Sequence, residues 1–140
     1  MANTSQNSTK NNLWNSGIPD LTTLTVKAMF IDNADDTVVA GDDFIDDILS
    51  AARVPAIASA PALASKTNGV VAVGTFDAAD TTFTSLTGDA SEQLILFEDS
   101  GVESTSDIIC FWDTATGLPL TPNGGNVTVV WNASGILTAA

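Results

Sequence analysis

The sequence predicts a mainly β fold, a small β-sandwich or β-barrel with one short helix and an extended N-terminal arm. Three observations carry this prediction. Short alternating or wholly apolar segments recur roughly every 10–20 residues. Clusters of Gly, Asn and Asp punctuate them, and a single stretch has helical periodicity. Several short strands in a chain of 140 residues pack as a sandwich or close as a barrel.

Residues 1–20 read as the arm. They are rich in Asn, Ser and Thr, relieved only by Leu13, Trp14 and Ile18, and too polar to order on their own. Leu13 and Trp14 are therefore candidate partner contacts, Trp being enriched at the centres of interfaces. A single β-rich domain is expected over 21–140. Its first strand runs through Thr23–Ile31, where Leu24, Val26, Ala28 and Phe30 share one face. The stretch from Asp32 to Asp36 turns the chain. Asp42 then caps the one helix signal, in which Phe44, Ile45, Ile48, Leu49 and Ala52 form a stripe opposite Asp42, Asp43, Asp46 and Asp47. Pro55 and Pro61 prevent a long continuation.

The second half reads as strands. Val70–Val73 is short and β-branched, and Thr81–Leu86 alternates. Leu94–Phe97 and Ile108–Trp112 are continuous apolar runs, the signature of strands buried on both faces. Asp99-Ser100-Gly101 turns between them, and Asn123-Gly124-Gly125 signals a hairpin into Val127–Trp131. The expected core includes Phe30, Phe83, Leu96, Phe111 and Trp131.

Hydrophobic residues make up 44% of the chain and charged ones 15%, a composition that folds. Seventeen acids oppose four bases (Lys10, Lys27, Arg53 and Lys66), for a net charge of −13. Affinity for phosphate backbones comes from Lys and Arg displacing counterions, so no nucleic-acid partner is expected. Anionic membrane surfaces repel the chain for the same reason, and neither an apolar run of spanning length nor a secretion signal is expected to operate. Histidine is absent, which removes histidine-based triads and the usual general base. With one cysteine, Cys110, zinc coordination and an internal disulfide are excluded; the thiol reads as a buried small hydrophobe. No enzymatic activity, cofactor or metal is expected. Asp32, Asp35, Asp36, Asp42, Asp43, Asp46 and Asp47 place seven carboxylates within 16 residues. This run fails the EF-hand pattern, because Ala34 stands at the third position. It reads as turn formers and a solvated face, with Asp32, Asp35, Asp36, Asp46 and Asp47 as candidate contacts to a basic partner.

Several segments together resemble small proteins encoded among the head genes of tailed bacteriophages. These are Lys27–Asp32, Asp43–Ile48, Ala52-Arg53-Val54, Gly74–Phe83, Glu98–Gly101, and Gly117–Gly125 running into Val127–Trp131. The resemblance spans residues 24–132. Glu98 departs from it, a lysine being expected there, and the arm has no fixed counterpart. The resemblance implies a virion structural protein of the phage head assembled in the host cytoplasm, specifically a capsid decoration (cement) protein. Its implied partners are the major capsid protein and further copies of itself, a trimer being one such state. The alternatives are a neck, tail or head-fibre component, or a carbohydrate- or calcium-binding β-module.

Overall fold

The computed structural model describes residues 4–5, as backbone, and 20–138. Leu13 and Trp14 lie outside the described residues. The strands are β1 (Thr4–Ser5), β2 (Val26–Ile31), β3 (Arg53–Val54), β4 (Thr67–Asn68), β5 (Thr75–Asp77), β6 (Thr81–Phe83), β7 (Gln93–Glu98), β8 (Ile108–Trp112), β9 (Val127–Val129) and β10 (Leu137–Thr138). They form three antiparallel sheets: β1-β8-β7-β2-β3, β10-β5-β4 and β6-β9. The sheets do not close on one another, so the fold is sandwich-like and not a barrel.

β2 and β7 pair along their whole length, from Val26 opposite Glu98 to Ile31 opposite Gln93. Side chains alternate across a strand, and here both faces are covered. Val26, Ala28, Phe30, Leu94 and Leu96 enter one core with Phe83 and Phe76 from the small sheets and Leu86 from the loop after β6. Met29, Ile31, Ile95 and Phe97 enter a second core with Val38, Ile45, Ile48 and Ala52 from the irregular segment on the other side. This double burial explains the unbroken apolar runs. In β8 the alternation slips: Ile109 and Cys110 both face the first core, because the register shifts between Leu96 and Phe97. A bulge of this kind lets two successive residues share a face.

The expected helix over Phe44–Ala52 is instead two single 3₁₀ turns, Ile45–Asp47 and Ser50–Ala52. Ile48 and Leu49 between them are extended, with ψ of 127° and 136°. The ladder of an α-helix is replaced by tertiary bonds. The Ile45 N–H donates to the Ser106 carbonyl at 3.0 Å, and the Leu49 N–H donates to the Asp36 carboxylate at 2.8 Å. Arg53 caps the Ile45 and Ile48 carbonyls through its guanidinium. The apolar stripe still does its work in part, since Ile45, Ile48 and Ala52 are buried while Leu49 is exposed.

Two further expectations are corrected. Val70–Val73 is not a strand but the solvent-facing tip between β4 and β5. Gly69 and Gly74, at φ of 70° and 75°, turn the backbone on either side of it. Asn123-Gly124-Gly125 does not close a local hairpin. The Gly124 N–H donates to the Leu86 carbonyl and the Leu86 N–H to that of Gly125, which docks β9 on β6.

One buried polar side chain ties the second core together. Gln93, fully buried, accepts from the Val38 N–H at 2.9 Å and donates to the Val38 carbonyl at 3.0 Å. Gln93→Leu should therefore cost about 2–4 kcal/mol in urea unfolding, since two buried backbone groups lose their partner. A loss below about 0.5 kcal/mol would mean that water replaces the amide.

Candidate interaction surface

The acidic run divides by burial and by what each carboxylate holds. Asp32 is only 6% exposed, and it accepts from the Ala34 N–H at 2.8 Å. Asp36 accepts from the N–H groups of Thr37 and Leu49, pinning one loop to the next. Asp47 accepts from those of Asp43 and Phe44. Asp35 and Asp46 are exposed. Three of the five candidate acids thus organise backbone. Of these three, Asp47 remains exposed, Asp36 is half-buried and Asp32 is withdrawn from the surface.

Folding also brings in an acid that no local pattern links to this run. Asp89 joins Asp32 and Asp35, each offering a carboxylate oxygen within 4.8 Å of the others. Oxygen is the ligand type that hard cations such as calcium prefer, and these three could supply part of the six to eight that calcium takes.

The described cations are all engaged within the fold. Lys27 pairs with Asp99 at 2.7 Å and donates to the Ile57 carbonyl. Arg53 pairs with Glu103 at 3.0 Å, and Lys66 donates to the Leu24 carbonyl. The outward field is consequently set by the acids.

Crowding shifts some of those acids. Burial pushes the Glu98 carboxyl above its ordinary value, with repulsion from Asp107 adding to it. Asp107 is raised by burial and then by Asp43. Burial also raises Asp42, with Asp47, Asp36 and Asp43 contributing repulsion. Asp99 moves the other way, lowered first by its bond from Lys27. A carboxyl raised in the folded state binds its proton more tightly there than when unfolded, so acidification through that window stabilises the fold. The Asp99 contribution is lost only at lower pH. Melting temperature should therefore rise between neutral pH and about pH 5, then fall below about pH 4. Glu98→Gln should raise it at neutral pH by about 1–2 °C and shrink the gain on acidification; solvent screening keeps the effect small. An unchanged profile in this variant would remove Glu98 from the account. Burial raises the Cys110 thiol strongly, which keeps it protonated and unreactive.

A second feature lies on the opposite side of the central sheet. A cleft of about 620 Å³ opens between β8, β9 and the loops that follow each of them. Its walls include Phe30, Leu94, Trp112, Val129, Trp131 and Ile136. The Trp112 and Trp131 rings lie 5.7 Å apart, tilted by 45°. Trp131, expected in the core, is only half-buried. Its indole N–H donates to the Thr81 hydroxyl at 3.1 Å and its backbone N–H to Asp80 at 3.0 Å. The indole N–H needs a partner, and that bond holds the ring at the rim of the sheet. Sequence periodicity places Trp131 on an apolar face but cannot show that the face borders an opening.

Among the described residues no helix is long and apolar enough to cross a membrane. Compared with known protein families and with curated proteins, the chain matches none.

Proposed function

We propose that this chain is a non-enzymatic virion structural protein, a capsid decoration protein that bridges and stabilises major capsid subunits on the outer surface of a phage head. The observation that carries the reading is electrostatic. The chain carries a net charge of −13, and three of its four basic side chains, Lys27, Arg53 and Lys66, are engaged within the fold, so the acids dominate the outward field. Such a surface is repelled by packaged nucleic acid and suits the exterior of a head, where it docks on basic or polar subunit surfaces. A sheet buried on both faces gives the rigidity that a clamp needs, and the sequence segments that resemble phage head proteins are spread over that sheet (Lys27–Asp32, Ala52-Arg53-Val54 and Glu98–Gly101) and the two smaller ones (Gly74–Phe83 and Val127–Trp131). Clamping neighbouring subunits adds interface area at many equivalent junctions, so modest contacts sum to a large resistance to expansion.

Mass spectrometry of purified virions tests this directly. The expected result is a copy number commensurate with the major capsid protein; a few copies per particle would instead assign the chain to the neck or tail. Exposed Asp35, Asp46 and Asp47 should steer docking. Association with capsids is expected to slow by about tenfold or more as salt rises from about 20 to 300 mM, because the screening length shortens. Asp35→Asn with Asp46→Asn, two exposed acids outside the three that organise backbone, should reproduce part of that loss with melting behaviour preserved. A rate indifferent to salt would mean that these acids face away from the capsid.

A further inference from the structure

We propose that Asn123 deamidates spontaneously, attacked by the backbone nitrogen of Gly124 at a rate gated by the docking of β9 on β6. Asparagine is thermolabile, most of all before glycine, which has no Cβ to shield its nitrogen or to restrict its backbone. The chain contains two such pairs, Asn68-Gly69 and Asn123-Gly124, and both asparagines are exposed. In the reaction the Gly124 N–H gives its proton to solvent base, and the nitrogen attacks the side-chain carbonyl carbon of Asn123. A five-membered imide closes as the bond to the side-chain nitrogen breaks, and that nitrogen takes up a proton and leaves as ammonia. Water then opens the imide at either carbonyl, giving aspartate or isoaspartate.

The fold presents the carbonyl and withholds the nitrogen. The Asn123 side-chain oxygen accepts from the Gly125 N–H at 2.9 Å, which polarises the carbonyl and keeps it turned toward the chain that follows. Gly124, at φ of 82°, donates its N–H to the Leu86 carbonyl at 2.8 Å, so the proton that must leave is held there. Leu86 is anchored in the first core, 2% exposed, whereas residues 123–126 are all exposed. The gate therefore opens when the exposed segment lifts away from Leu86, and deamidation follows the population of that local opening. Two neighbouring bonds resist the lift: the Leu86 N–H donates to the Gly125 carbonyl at 2.9 Å, and the Ser85 N–H to the Asn126 side-chain oxygen at 3.0 Å. Isoaspartate adds a methylene to the main chain between residues 123 and 124. The Gly124 and Gly125 bonds to Leu86 then lose their common register, so the conversion releases this end of the β6–β9 contact for good. The inference concerns the chain alone and stands apart from the virion reading.

The test holds the full-length protein in mildly alkaline buffer, native and unfolded in guanidinium, and maps its peptides by mass spectrometry, with an isoaspartyl methyltransferase marking isoaspartate. Asn123 should convert more slowly in the native chain than in the unfolded one by about tenfold or more. Asn126→Ala removes the acceptor for Ser85 and should quicken the native conversion of Asn123 by about threefold or more. Asn68 is the control within the same molecule: its Gly69 N–H is held by the Thr75 carbonyl, at 2.8 Å, in a different sheet, and its rate should not change. Circular dichroism and melting curves verify that the variant folds. Hydrogen exchange at the Gly124 amide reads the same opening without any substitution, and should rise in step with deamidation across wild type, variant and low denaturant. Equal rates at Asn123 in native and unfolded protein, a native Asn123 that stays intact while the Gly124 amide exchanges freely, or deamidation that does not follow Gly124 exchange would each overturn the inference.

Discussion

Phe111→Ala is expected to destabilise the protein by about 3–5 kcal/mol. Phe111 is 1% exposed and sits on β8 opposite Ile95, facing the second core. That core is filled from the sheet (Met29, Ile31, Phe97) and from the irregular segment over it (Ile45, Ile48), so truncation opens a gap that neither layer can close alone. Small domains are stable by only about 5–15 kcal/mol, so the loss consumes a large share of the total. The melting temperature should fall by about 10 °C or more. Phe111→Leu keeps most of the volume and should cost about 1–2 kcal/mol. Equal effects of the two substitutions, read by urea unfolding, would refute a packing role for the ring.

Arg53→Met should cost about 2–4 kcal/mol, an effect that comes from hydrogen bonds more than from charge. The Arg53 side chain is 6% exposed, whereas its ion-pair partner Glu103 is 52% exposed. Its guanidinium donates through Nε and Nη2 to the Ile48 carbonyl, at 3.1 and 2.6 Å, and through Nη2 to that of Ile45, at 2.9 Å. Methionine matches the stem but leaves both carbonyls without that donor. Lysine cannot reproduce the planar fork, so Arg53→Lys should recover only part of the loss. Glu103→Gln should cost under about 1 kcal/mol, because an exposed partner contributes little through screened charge. If the two substitutions prove equally costly in denaturant titrations, the ion pair and not the capping of the turns is the main contribution.

The acidic surface, the β class and the central strands were legible in the sequence for physical reasons that are local. Unbroken apolar runs in β7 and β8 report that both faces of a strand are covered, and the structure has both covered. In β2 alternation marks one apolar face, while Met29 and Ile31 on the other face are buried as well. Phe30, Phe83, Leu96 and Phe111 are buried as their surroundings in the chain predict. Net charge is simple addition, and Cys110 is buried, as its apolar neighbours imply.

What only the tertiary structure decided depends on groups distant in sequence. The stripe from Phe44 to Ala52 suits a helix, yet bonds to Asp36, Ser106 and Arg53 break it into two turns, because satisfied tertiary partners outweigh a weak local propensity. Val70–Val73 has strand composition, but β-branched residues favour strands only where they pack on a sheet, and this tip has none beneath it. Asp89 reaches Asp32 and Asp35 through the folding of a loop more than fifty residues away. Trp131 has the apolar neighbours of a core residue, yet it stands at an opening, because its burial is set by how closely β9 approaches β8 and not by its own strand. Periodicity records which side of an element is apolar; which surface meets that side, and how completely, is settled only when distant elements dock.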